Sequence, residues 1–137
     1  MSKNIVFQGI AAILLFGLGF GKGLVAQTGS DSPQRVEQKR TDLTGAPGME
    51  VIASIAEYQP GQGNAVHSHH GVEAAYVIQG ARVVGLDNQE RAIATGTTIL
   101  NLRDVKHSGF KVVGDTSLKL FTVHIVDKGK PLYDYEK

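Results

Sequence analysis

The chain contains no cysteine and no tryptophan, only four prolines among 137 residues, and no surplus of either charge, with 14 Lys and Arg against 13 Asp and Glu. Without cysteine there are no disulfides, thiolate metal sites, thiol nucleophiles or thiol-anchored lipids. Near-neutral charge without a basic run gives no electrostatic footprint for nucleic acid. No uninterrupted apolar stretch reaches the ~20 residues that span a bilayer, and no amphipathic helix of useful length shows in the spacing. Hydrophobic residues make up 42% of the chain and charged ones 20%, which argues for one packed core. What remains for chemistry is oxygen and imidazole, and there are five histidines to follow.

Residues 1–26 read as an export signal. Lys3 precedes an apolar stretch that runs without interruption from Ile10 to Phe20, 11 residues, a length that suits the apolar region of a secretory signal. Leu24-Val25-Ala26 offers a small residue before a cut at Gln27, and an uncleaved anchor is the alternative. A lipoprotein signal is excluded, because its lipid-bearing cysteine is missing. The expected location is periplasmic or secreted, with no membrane span left after cleavage. Residues 27–47 are polar and read as a linker followed by an extended arm. The tail, residues 127–137, mixes Tyr133 and Tyr135 with charges; it is expected along the surface, or closing a dimer contact.

From Met49 the texture changes to short apolar runs, bounded by Pro60-Gly61, His70-Gly71, Gly80, Asp87-Asn88, Gly96, Arg103-Asp104 and Gly114-Asp115. The runs are 49–58, 65–69, 73–79, 81–86, 91–94, 97–100, 107–113 and 118–126. Eight strand-length pieces with frequent turn signals predict an all-β sandwich or barrel. Asp87-Asn88 reads as a tight hairpin turn. The run 118–126 is apolar on both faces, so one face packs the interior while the other meets a second sheet or a partner subunit.

His67 and His69 lie two apart in the 65–69 run, and alternation in a strand puts both imidazoles on one face. Glu73, with Ala75 and Val77, can turn toward the same space, and His107 opens a later strand. Three imidazoles and a carboxylate form a mixed nitrogen and oxygen set that suits Zn, Fe, Mn, Ni, Co or Cu. Two histidines at this spacing are equally read as packed or solvated residues. His70 falls in a break and reads as solvent-facing. His124, on the face of Leu120 and Val126, reads as a satisfied side chain outside the metal set.

The glycines around the histidines decide between the two readings. Gly61-x5-His67-x-His69-x3-Glu73-x6-Gly80 resembles, without a gap, the first signature motif of the cupin superfamily. The second motif is matched in part: Gly96 and His107 stand at the right separation, while Leu102, Asp104 and Lys111 replace its Pro, second Gly and Asn. The resemblance spans roughly residues 48–126. It implies a cupin-type jelly-roll β-barrel, preceded here by the signal peptide and commonly dimeric, with a divalent transition metal held by His67, His69, Glu73 and His107.

A metal with four protein ligands in a six-coordinate shell leaves up to two positions for water, dioxygen or substrate. Glu73 is the candidate catalytic base, since a carboxylate that leaves the metal can take a proton. Two functions follow: an exported, dioxygenase-like enzyme or isomerase acting on a small organic molecule, and a non-catalytic module that binds or senses a metal or small ligand. A homodimer is expected in either case. The leader yields the first prediction: mass spectrometry of the exported protein finds a mature amino terminus near Gln27, and a pool holding only full-length chain contradicts the export reading.

Overall fold

A computed structural model describes residues 31–136. The expected export signal and the first residues of the linker lie outside the described residues. In chain order the strands are β1 (Arg35–Asp42), β2 (Met49–Tyr58), β3 (Gly63–Asn64), β4 (His67–Ser68), β5 (Gly71–Gln79), β6 (Ala81–Gly85), β7 (Glu90–Ile93), β8 (Thr98–Asn101), β9 (Phe110–Val113), β10 (Leu118–Asp127) and β11 (Asp134–Tyr135). No helix occurs among the described residues, so none there is long and apolar enough to cross a membrane.

All pairings are antiparallel. One sheet has the order β1-β2-β10-β5-β8, the second β3-β9-β6-β7, and β4 pairs with β11. The all-β expectation is met, in the jelly-roll arrangement of two facing sheets. Period-two burial does the folding work here, because alternate side chains of a strand point to opposite faces. In β10, Leu118, Leu120, Thr122, His124 and Val126 are buried. In β2, Glu50, Ile52, Ser54, Ala56 and Tyr58 are buried.

The core joins Ala56, Val77, Leu118 and Leu120 of the first sheet to Ala81, Val83 and Val112 of the second. Full burial of a Val or Leu side chain contributes about 1.5–3 kcal/mol, and with no cysteine in the chain no disulfide adds to this packing. Two glycines of the sequence motif have distinct jobs. Gly61 turns at φ +87°, in the left-handed region, and a Cβ on Gly80 would meet the Ile93 carbonyl oxygen at 2.3 Å. The Asp87-Asn88 turn forms as expected, with Asn88 at φ 57° and the Gly85 N–H donating to the Gln89 carbonyl.

Two runs are shorter than their composition suggests. The 65–69 piece is regular only at His67–Ser68, and the 107–113 piece begins at Phe110. Ser108 and Gly109 take positive φ values of 73° and 82°, which interrupts the ladder just after His107. His67 and His107 nevertheless exchange both backbone hydrogen bonds, at 2.9 and 3.2 Å. Within the arm, Arg35–Asp42 adds to the edge of β2. The outer face of the first sheet leaves Tyr76, Leu100, Phe121 and Ile125 exposed.

Candidate metal centre

Four strands and two connecting segments, those that carry His69 and His107, deliver the site. β4 carries His67 inward and His69 follows it, both buried. Glu73 lies on β5 with the inward residues Ala75 and Val77, as alternation requires. In register, Glu73 stands between His124 of β10 and Asn101 of β8. His107 is brought against His67 by their shared backbone bridge.

The carboxylate of Glu73 is the point on which the imidazoles converge. Its Oε2 lies 3.3 Å from His69 Nε2 and 3.5 Å from His107 Nε2, and its Oε1 lies 3.4 Å from His124 Nε2. Asn101 Nδ2 donates to Oε2 at 2.7 Å. The His67 ring centroid is 4.8 Å from that of His69 and 4.4 Å from that of His107. All four residues expected to ligate a metal are thus brought into one cluster.

Three of the imidazoles are held in a ligating tautomer. Nδ1 of His67 faces the Ala65 carbonyl at 2.8 Å, that of His69 the Leu132 carbonyl at 2.5 Å, and that of His107 the Val105 carbonyl at 3.0 Å. A carbonyl only accepts, so the proton sits on Nδ1 and the Nε2 lone pair is left bare. His69 Nε2 and His107 Nε2 are buried without a hydrogen-bond partner among the described residues. Ligand atoms of His67, His69 and His107 lie within 4.8 Å of one another, as do those of His69, Glu73 and His124. Bare imidazole nitrogens beside a carboxylate fit a divalent transition metal.

Electrostatics keep the carboxyl ionised. Burial raises its pKa, but the facing His107 and His69 imidazoles and the nearby His124 outweigh that, and Glu73 is held well below the usual carboxylate range. Burial pushes His67 down to about 4 and His124 down to about 3, so both rings are neutral at physiological pH. For His107, burial also works against the charge, yet the Glu73 carboxylate and the Val105 carbonyl prevail and its pKa is raised.

Two expectations need correction. His124 is not a satisfied bystander: it is fully buried, faces Glu73, and neither ring nitrogen has a hydrogen-bond partner among the described residues. The tail does not simply lie along the surface either. Leu132 and Tyr133 are buried, β11 pairs with β4 at Tyr135 and His67, and the Tyr133 ring packs 4.6 Å from His67 and 5.0 Å from His69. The Leu132 carbonyl that fixes His69 therefore comes from 63 residues away. Alternation of Tyr133 and Tyr135 was the only hint of this in the sequence. Asn101 gave none, since its role depends on β5–β8 register. His70 stays outside the cluster, 3.5 Å from Asp104 and 3.9 Å from Asp134.

Above the cluster is a cavity of about 150 Å³, walled by Ile99, Phe110 and Leu118 with Asn64, Asn101 and Tyr133 as polar points. Burial raises the Tyr133 phenol, which stays protonated.

A family model described as Cupin domain matches residues 54–124. No curated protein matches the sequence. Among solved structures, that of the DMSP lyases RdDddP and RnDddQII is 15% identical with a TM-score of 0.50, covering 64% of this chain and 44% of that chain. The polyketide cyclase RemF from Streptomyces resistomycificus is 17% identical with a TM-score of 0.48, covering 68% of this chain and 75% of that one. The Schizosaccharomyces pombe Cnp3 cupin domain is 16% identical with a TM-score of 0.48, covering 68% and 60%. The likeness to the lyase shows the fold alone, and this chain spans less than half of that lyase chain's length.

The raised pKa of His107 sets the sign of a pH dependence. Below that pKa a proton occupies the nitrogen a cation needs, whereas His67 is already neutral. Zinc affinity measured by chelator competition therefore weakens by about tenfold per pH unit below the His107 pKa. Affinity that stays constant between about pH 8 and pH 6 contradicts this.

Proposed function

The chain belongs to the cupin family, and from that premise we propose that it is an exported, metal-dependent enzyme of the dioxygenase-like type acting on a small organic molecule. The observation that carries the metal reading is the trio of Nδ1-anchored imidazoles whose ligand atoms lie within 4.8 Å of one another, with the Nε2 atoms of His69 and His107 beside Glu73. His67, His69, Glu73 and His107 would hold a divalent transition metal (Fe, Mn, Ni, Zn, Co or Cu). When bound, such an ion supplies Lewis acidity and, for the redox-active members, a means of activating dioxygen.

The chain's own residues support a substrate site next to that ion. The cavity volume of about 150 Å³ is comparable to that of a cavity that takes up benzene. Its apolar wall suits a compact hydrophobic body, and Asn64 and Asn101 can orient a hydroxyl or carbonyl. Asn101 donates to one oxygen of Glu73, which holds the candidate base in place at the cavity.

The same proposal takes residues 1–26 as a cleaved signal, 27–47 as linker and arm, 48–126 as the barrel and 127–137 as the tail of a periplasmic or secreted homodimer. The uninterrupted apolar run from Ile10 to Phe20 supports export. The exposed Tyr76, Leu100, Phe121 and Ile125 on one sheet face support self-association, because apolar surface of this kind favours burial.

Elemental analysis of protein recovered natively, with oxygen uptake over a panel of small enols and diols, tests the reading. Expected are about one transition metal per chain and substrate-dependent uptake, both lost in His69→Ala. Metal-free native protein overturns the metal centre. Tight binding of a small ligand without turnover replaces the enzyme with the non-catalytic binding module.

A further inference from the structure

His124 is the one imidazole of the cluster that the four-ligand set leaves unused. It stands directly opposite Glu73 in the β5–β10 register and its side chain is 0% exposed. Its ring lies edge-on to that of His69, with centroids 4.7 Å apart, and its Nε2 is 3.4 Å from Glu73 Oε1. With no hydrogen-bond partner at either nitrogen among the described residues, this imidazole carries the full cost of desolvation in the barrel interior. A packing role alone is better met by an apolar side chain, which carries no such cost.

We propose that His124 is itself a metal ligand, closing with His69 and Glu73 a fully buried face of two imidazoles and one carboxylate on the centre proposed above, on which this inference rests. The donor atoms of these three residues lie within 4.8 Å of one another, and all three are buried. They share His69 with the three-histidine group. Glu73 links the two groups, since Oε2 faces His69 and His107 while Oε1 faces His124. Two imidazoles with one carboxylate also make a donor set that binds iron in non-haem oxygenases.

His124 differs from the other three rings in one respect that the test exploits. No carbonyl anchors its Nδ1, so its proton is free to move to Nδ1 when Nε2 takes a cation. If it instead only donates to Glu73, Nε2 keeps its proton. The consequence for chemistry is that a position taken by His124 on a six-coordinate ion is closed to an outside molecule.

Long-range proton–nitrogen NMR of the full chain, labelled with nitrogen-15 at histidine, reads the state of each ring nitrogen with and without one equivalent of Zn²⁺. The expected result is a metal-bound Nε2 and a protonated Nδ1 at His124, and a Zn²⁺ affinity at least tenfold weaker in His124→Phe. A His124 Nε2 that stays protonated in the zinc form, or a folded His124→Phe variant with parental affinity, overturns the inference. The NMR arm needs only the parent chain, so a variant that fails to fold leaves the question decided. Failure of the parent to take up Zn²⁺ removes the metal centre itself, whereas zinc held without His124 removes only this ligand.

Discussion

An ionised carboxylate in the barrel interior is the constraint on which the rest depends. Glu73 is 7% exposed, and a buried charge costs several kcal/mol unless it is paired and hydrogen-bonded. The barrel gives it one amide donor from Asn101 and brings three imidazole nitrogens to 3.3–3.5 Å. Those nitrogens are buried without hydrogen-bond partners among the described residues, so the carboxylate is only partly compensated and the imidazole nitrogens facing it are left unsatisfied. A divalent cation resolves both deficits together, because it takes imidazole lone pairs and carboxylate charge in the same shell.

Sheet and tail share the task of holding that cluster. The first sheet places Glu73 by register between β10 and β8, in a ladder backed by the packed core. The tail then wraps back, so that the Leu132 carbonyl sets the His69 tautomer and Tyr133 packs on two imidazoles. Anchoring of this kind orients a ligand and raises its basicity, and its loss commonly weakens a metal by about 10–100-fold.

Much of this was legible in the residues alone. Strand-length runs with period-two patterning pointed to an all-β fold, and the spacing of His67, His69 and Glu73 implied one shared face. What escaped was set by register and by long-range return of the chain. His124 looked ordinary because its neighbour across the ladder, Glu73, is 51 positions earlier in sequence. Asn101 and Leu132 act through pairings that no local pattern encodes. The strand before His69 also proved shorter than its composition implied, since two hydrogen-bonded residues suffice when His107 bridges back to His67.

The most direct measurement is X-ray absorption at the metal edge of protein loaded with one equivalent of zinc. A centre built as described here gives a nitrogen and oxygen shell at about 2.0–2.2 Å with scattering from at least three imidazole rings. A shell of oxygen donors without imidazole scattering places the ion elsewhere and contradicts the assignment of His67, His69 and His107 as ligands beside Glu73.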